Sequence, residues 1–192
     1  MIRLDPKTTA LVLIDLQNGI AGSMSLAPQS GETLIETSKQ LATRFRSAGA
    51  PVVLVNVGWT ADGGDRLTQP VDAEMPRPAG GLPADWAELV PGLAKDGDLR
   101  ITKRQWSAFY GTELDLQLRR RGVRTIVLGG VATNFGVEST ARLGWEHGYS
   151  LVLPKDLSAA PSAELHEFAF NAVFPRIGRV TTVAELIFEP VR

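Results

Sequence analysis

Short, almost unbroken apolar runs recur along the chain, and each is followed by a polar or glycine-rich break and a stretch with helical spacing. TALVLIDL at 9–16, PVVLVNVG at 51–58, RTIVLGGV at 124–131 and YSLVLP at 149–154 are built largely from Val, Leu and Ile. LRITK at 99–103 and RVTT at 179–182 are shorter companions. A strand that is apolar on both faces must be covered on both faces. A parallel sheet between helical layers provides that cover.

The intervening segments fit this requirement. The spacing predicts a helix over 32–48, with Leu34, Leu41 and Phe45 on one face, Ser30 nearby as a cap and Gly49 as the stop. Further helices are predicted near 112–121, closed by Gly122, and over about 136–147, closed by Gly148. Ser162 can cap another, in which Leu165, Phe168, Ala169, Ala172 and Val173 line one side. VAELI at 183–187 opens a last helical turn. Residues 59–98, rich in Gly, Pro, Asp and Ala, read as a long excursion with one short helix, its Gly-Gly pairs at 63–64 and 80–81 being loop glycines. Long excursions in compact domains often build sites. The pattern predicts the α/β class: a three-layer, Rossmann-like fold with a six-stranded, mostly parallel sheet flanked by helices. A length of 192 residues suits one domain over 1–192.

Charge narrows the range of partners. Twenty basic side chains nearly balance 21 acidic ones, which argues against nucleic acid or a membrane surface. The run Arg119–Arg121 reads as the solvated end of a helix. No apolar stretch approaches the roughly 20 residues of a membrane span, and the N-terminus has no signal-peptide pattern. A cytoplasmic protein acting on a small molecule is expected. The chain has no cysteine, so thiolate catalysis, disulfides and iron–sulfur clusters are closed to it. Neither GxxxxGK[ST] nor GxGxxG occurs, so nucleotide phosphates have no cradle of those kinds.

In parallel α/β sheets, ligands bind beyond the carboxyl ends of the strands, where strand order reverses. That rule selects Asp15, the stretch from Asn56 to Trp59, Lys103 and the turn at 131–136. Asp15 follows four aliphatic residues, so it is either a partly buried acid with a perturbed pKa or a cap on neighbouring backbone. Lys103 is either a pocket residue or a solvated strand end. If both enter one pocket they form an ion pair that titrates as a unit. The turn has a different capacity. Amides of Phe135, Gly136 and their neighbours at a helix start can face an anion. Gly136 either lets a ligand approach the backbone or simply serves a tight turn. Thr133, Ser139 and Thr140 supply hydroxyls, but none has an evident histidine base for a serine-type triad. His147, at a helix end, and His166, within a helix, lack metal-ligand spacing and read as structural. Glu138 and Arg142 are spaced to pair on a helix surface.

Three ordered segments carry a resemblance: LVLIDLQNG, ITKRQWSAFYGTEL and GGVATNFGVESTARLGWEHGYSLVLPKDLSAA, with IGRVTTVAELI closing the chain. They resemble the isochorismatase-like hydrolases over nearly the whole length. The likeness is greatest to small bacterial members with Gly in place of the nucleophilic Cys. The resemblance implies Asp15 and Lys103 as the catalytic pair and Gly136 at the nucleophile position. It also implies a cis peptide between Val131 and Ala132. Ala132, Thr133 and Phe135 would line the substrate and oxyanion site. Gln69 would be a polar substrate contact, and Trp106 would form the pocket rim. Thiol members of the family form covalent thioesters, a route this chain lacks. Members with Gly cleave vinyl ethers, with the Asp as general acid and water as nucleophile. The implied function is a cofactor-free, metal-free hydrolase of a small, anionic metabolite. The alternative is a non-catalytic binding or scaffold protein that keeps the fold. The family forms dimers and larger assemblies, so a homo-oligomer is expected, with Trp86, Trp106 and Phe109 as candidate interface residues.

Overall fold

The computed structural model describes residues 1–73 and 81–189. Gly80, first of a glycine pair, lies outside the described residues. In chain order the elements are β1 (Ile2–Leu4), β2 (Thr9–Ile14), α1 (Gly31–Ser47), β3 (Val52–Val57), β4 (Leu99–Lys103) and α2 (Leu114–Arg120). Then come β5 (Thr125–Val131), a π-helical turn (Thr133–Val137) running into α3 (Glu138–Glu146), β6 (Ser150–Pro154) and β7 (Ser158–Ala159). The chain continues through α4 (Ala163–Phe168), a second π-helical turn (Ala169–Val173), α5 (Phe174–Ile177), β8 (Arg179–Thr181) and β9 (Leu186–Phe188).

The main sheet is parallel, in the order β4-β3-β2-β5-β6-β8. That path matches the six strands expected. A seventh, the two-residue β7, pairs with the end of β5, and β1 pairs with β9 in a separate small sheet. Neither addition was foreseen. The chain moves outward from β2 to β4, then returns to lay β5 on the other side of β2. The reversal of strand order therefore lies between β2 and β5.

Alternation along the strands divides the interior into two cores. Leu11 and Leu13 point to the side covered by Leu34, Leu41 and Phe45 of α1, where Phe188 of β9 meets Phe45 edge-on at 4.7 Å. Ala10, Val12 and Ile14 point to the opposite side, covered by α2, α3 and the α4–α5 segment. The helix start at Ser30 is as expected: its side chain accepts from the Thr33 amide. Gly49, at φ 73°, ends the helix.

Several expectations are corrected. Among its described residues, the 59–98 excursion contains no helix, only turns and bends. The segment after Ser162 buries only part of the predicted face: Ala169 and Val173 point inward, whereas Leu165 and Phe168 are 40% and 62% exposed. His166, Phe170 and Phe174 join the inward side in their place. The π-helical turn at 169–173 explains the shift, since its wider winding breaks a strict 3.6-residue count. VAELI supplies one 3₁₀ turn and then strand β9. Phe109 is unavailable for an interface: it is buried, its ring 5.1 Å from His147 and 5.7 Å from Tyr149.

The pair Gly129-Gly130 sets how closely β5 can sit to its neighbours. A Cβ on Gly130 would lie 2.1 Å from the Ile14 carbonyl oxygen, and φ there is 123°. A Cβ on Gly129 would lie 2.4 Å from the Leu157 carbonyl oxygen. Gly130→Ala is therefore expected to lower the unfolding free energy by about 3 kcal/mol or more. Gly122→Ala, at φ 68° with nothing within 4 Å, should cost only about 1–2 kcal/mol, the penalty for left-handed backbone. Urea denaturation of the two variants measures the contrast.

Candidate functional site

Asp15 leaves the end of β2 with φ 54°, the only described non-glycine residue at positive φ. Asp tolerates that region better than most residues, and such backbone is concentrated at functional sites. Its amide donates to the Val55 carbonyl at 2.8 Å, so the residue stays tied to β3 while its side chain turns inward. Lys103 ends β4, two strands away. Its Nζ donates to Asp15 Oδ2 at 2.7 Å, with side-chain exposures of 2% for the lysine and 7% for the aspartate. The two residues expected to converge do so.

The pairing is incomplete. Lys103 Nζ also donates to the Gln105 carbonyl at 3.1 Å. Asp15 Oδ1 is buried and has no hydrogen-bond partner among the described residues. Burial raises the Asp15 pKa from 3.8 to about 6, outweighing the charge and hydrogen bond of Lys103, which pull it down. The site thus holds a carboxyl that carries a proton up to mildly acidic pH and has one free oxygen.

Gly136 stands directly beside it. A Cβ at this position would be 3.2 Å from Asp15 Oδ2, 3.0 Å from Ile14 Cγ2 and 3.3 Å from the Val131 carbonyl oxygen. Any side chain here would begin in contact with the carboxylate. The Val131–Ala132 peptide is cis. The amides of Phe135 and Val137 both donate to the Ala132 carbonyl, at 3.0 and 3.2 Å. This corrects the expectation for Phe135, whose amide is used within the turn. The amides of Ala132, Thr133 and Asn134 have no acceptor among the described residues.

Side-chain bonds fasten the turn to the segment after Lys103. Thr140 Oγ1 donates to the Gly136 carbonyl at 2.7 Å and accepts from the Ala108 amide at 3.0 Å. Gln105 Nε2 donates to the carbonyls of Ser107, at 3.3 Å, and Tyr110. Trp106 is 53% exposed and its ring leans on Phe135 at 4.9 Å, at the rim of the site. Glu138 and Arg142 pair at 2.9 Å, as their spacing predicted. Gln69 is exposed, and no hydrogen bond among the described residues joins it to the pair.

Two residues that sequence reasoning passed over help to build the site. Gln17 is fully buried. Its Nε2 donates to the carbonyls of Val57 and Trp86, each at 3.1 Å, and its Oε1 accepts from the Val57 amide at 2.8 Å. It fastens the far end of the excursion to β3. His166, read as structural, has Nδ1 2.9 Å from Thr133 Oγ1, within the turn itself. The one available signal was their polarity inside otherwise apolar neighbourhoods. Asn56 supports the same frame, donating to the Ala87 carbonyl at 2.9 Å and accepting from Thr102 at 2.9 Å. Trp59 donates to the Arg104 carbonyl at 2.9 Å.

A separate surface depression of about 390 Å³ is lined by Glu32, Ile35, Glu36 and Lys39 of α1 with Ala21 and Gly22. It shares no residue with the pair or the turn, and its charged side chains are not buried. The buried, half-satisfied charges place the candidate site at the strand ends instead. No group of three or more His, Cys, Asp or Glu among the described residues is arranged to hold a metal ion. No helix among them is long and apolar enough to cross a membrane.

Comparison with known proteins identifies the family and agrees with the fold. The model of the isochorismatase domain matches residues 9–185. The chain is 51% identical over 188 residues to the isochorismatase family protein YecD of Escherichia coli O157:H7, covering 97% of this chain and 98% of that one. It is 34% identical to the ureidoacrylate amidohydrolase RutB of Methylorubrum extorquens, over 95% of this chain and 83% of the relative. The solved structure of an isochorismatase family protein from Burkholderia thailandensis superposes with a TM-score of 0.90 at 42% identity, covering 96% and 95% of the two chains. N-carbamoylsarcosine amidase from Thermoplasma acidophilum superposes with a TM-score of 0.72 at 25% identity, over 91% and 96%.

The pair gives a signed pH dependence. The Asp15 carboxyl carbon should titrate in a ¹³C NMR experiment with a midpoint near 6 rather than 3.8. Between these values the folded chain binds a proton that the unfolded chain has released. Stability therefore falls as pH rises through this window, by roughly 3 kcal/mol in full. Asp15→Asn removes this contribution, so urea denaturation should show the variant gaining on the wild type from about pH 4 to pH 7. Lys103→Met leaves the buried carboxyl alone. It should lose about 3–5 kcal/mol at neutral pH and move the Asp15 midpoint higher still.

Proposed function

The chain belongs to the isochorismatase family, and from that premise we propose that it is a cofactor-free hydrolase of a small, anionic metabolite, acting on an enolpyruvyl-type vinyl ether. The observation that carries this reading is Asp15: a buried carboxyl, protonated up to about pH 6, whose Oδ1 has no partner among the described residues and whose Oδ2, held by Lys103, lies beside a residue that has no side chain. Vinyl-ether cleavage needs a proton donor, a place for an anion and room for water, and it needs no nucleophilic side chain.

The steps balance without a covalent intermediate. The Asp15 carboxyl gives its proton to the terminal vinyl carbon. The π electrons form that C–H bond and leave an oxocarbenium ion at the ether-bearing carbon. Water adds there, and its proton returns to Asp15. The hemiketal then collapses to the free alcohol and a 2-keto acid. Lys103 holds the carboxyl in place and stabilises the carboxylate formed once the proton has left. The amides of Ala132, Thr133 and Asn134 take the substrate carboxylate. Gly136 leaves the substrate or water in contact with Asp15. Trp106 and Phe135 form an apolar rim, and Gln69 is a further polar contact of the excursion. The protein forms a homo-oligomer in this reading, with Trp106, 53% exposed, as an aromatic available to its interface.

The relatives' names favour a second chemistry, hydrolysis of ureido or carbamoyl amides. Without a thiol, that route requires Asp15 as a base that activates water directly. The two chemistries have opposite pH signatures. For vinyl ethers, kcat/KM should fall about tenfold per pH unit above the Asp15 midpoint, because the acid form is the active one. For amides it should rise through the same midpoint and level off. Asp15→Asn should lower either activity by about 10²–10⁴-fold. The test is a panel of vinyl ethers, isochorismate among them, with small ureido amides, assayed across pH 5–8. If the folded wild type turns over no member of the panel, the chain is a binding or scaffold protein, and its lack of cysteine is then the mark of lost chemistry.

A further inference from the structure

We propose that His166 is a positioning residue, holding the anion-facing turn in shape through its hydrogen bond to Thr133. The inference deepens the reading of the turn as the substrate's anion site, and it rests on that reading.

The turn has few internal supports. It is π-helical, with the Phe135 and Val137 amides sharing the Ala132 carbonyl and the Glu138 amide reaching back to Thr133. Such turns are rare and loosely wound, and they recur at functional sites. Three successive amides, of Ala132, Thr133 and Asn134, have no acceptor among the described residues. Their directions depend on the backbone at Thr133. Thr133 is fully buried, and its hydroxyl has one partner, His166 Nδ1 at 2.9 Å.

His166 is itself held firmly. β7 pairs with the end of β5, placing Ala159 beside Val131. Ser162 then caps α4, its hydroxyl accepting from the Leu165 amide at 3.3 Å. His166 sits in the next turn with no solvent exposure, its ring 4.6 Å from Phe170, which meets Phe174 edge-on at 4.8 Å. The chain thus closes a loop, from Val131 through β7 and α4 back to Thr133, and the histidine is its final link. Nε2 is buried without a partner among the described residues, and among them the Thr133 bond is the ring's sole hydrogen bond. A role in packing alone would be filled at lower cost by an apolar side chain, which buries no unsatisfied nitrogen. Burial also pushes the His166 pKa down to about 4, with Lys155 adding to the fall and Glu167 opposing it. The ring therefore stays neutral through the working range, and the strut is not a pH switch.

The test follows backbone amides by ¹⁵N NMR while pyruvate is added to the full-length protein. In the wild type, the resonances of Ala132, Thr133 and Asn134 should shift and give a Kd. In His166→Leu the Kd should rise roughly fivefold or more, the equivalent of one net hydrogen bond. His166→Asn, which can restore a bond to the hydroxyl, should recover most of the affinity. Thr133→Val should match His166→Leu, and Thr133→Ser should match the wild type. The double variant should be no weaker than either single one, since both remove the same contact. If His166→Leu is too unstable to study, the two Thr133 variants carry the test alone. Wild-type affinity in a folded His166→Leu or Thr133→Val protein overturns the positioning role and leaves the anion site standing. Absence of any pyruvate-induced shift at 132–134 in the wild type overturns the anion site, and this assignment with it.

Discussion

A carboxylate and an ammonium lie almost wholly out of water at the ends of two strands that do not touch, and the rest of the structure is arranged around that fact. Removing each ion from water costs several kcal/mol, and mutual attraction offsets this only when geometry is good and the remaining polar atoms find partners. The 2.7 Å contact between Asp15 and Lys103 meets the first condition. The second is met on one side only, since Lys103 also reaches the Gln105 carbonyl while Asp15 Oδ1 finds nothing. The contact requires β3 to separate β2 from β4 at fixed register, Val55 to hold the Asp15 amide and Gln17 to clamp the end of β3. The sheet places the charges, and the charges give the sheet its chemistry.

The opposite wall of the site comes from the return of the chain. β5 lies against β2 so closely that Gly130 cannot carry a side chain, and the register of Ile14 with Gly130 brings the next residues of both strands together. The turn after β5 is then held from two directions. Thr140 links its Gly136 carbonyl to the Ala108 amide on the Lys103 side, and Thr133 links it to His166 on the α4 side. The first link is two buried hydrogen bonds and the second is one, each of modest net value, but an unmade one would leave a buried polar atom stranded. The links act mainly through their cost of absence, which is how a short, loosely wound turn keeps one geometry.

What the sequence revealed follows from how far each signal reaches. Strands β2, β3, β5 and β6 are continuous apolar runs, and α1 shows both cap and stop, so local pattern was sufficient. Asp15 and Lys103 were legible because strand ends at a reversal of strand order are set by topology. β1 and β9 were not legible: each has three residues, and they meet only through pairing across most of the chain. β7 was missed for the same reason. One face was predicted to run through α4 and the residues after it; Ala169 and Val173 lie on it, but the π-helical turn puts them out of phase with Leu165 and Phe168, which a fixed helical period cannot anticipate. The Phe135 amide was assigned outward on the rule that helix starts expose their amides, whereas the turn bonds it at once to the Ala132 carbonyl. Gln17 and His166 looked like ordinary polar residues, since burial of a polar side chain depends on partners 40 and 33 positions away.

Gly136 joins these threads. A hydrogen in place of a side chain at this point lets the turn pack against the carboxylate, and the same feature leaves the position without a nucleophilic group. A thiol here would have to fit where even a Cβ comes within 3.2 Å of Asp15 Oδ2 and 3.0 Å of Ile14 Cγ2. The crowding indicates a wall fitted to glycine, drawn in toward the carboxyl. Drawing it in further desolvates Asp15, and desolvation is the largest influence on its pKa. The absence of a side chain at Gly136 thus permits the close packing that buries Asp15 and raises its pKa to about 6.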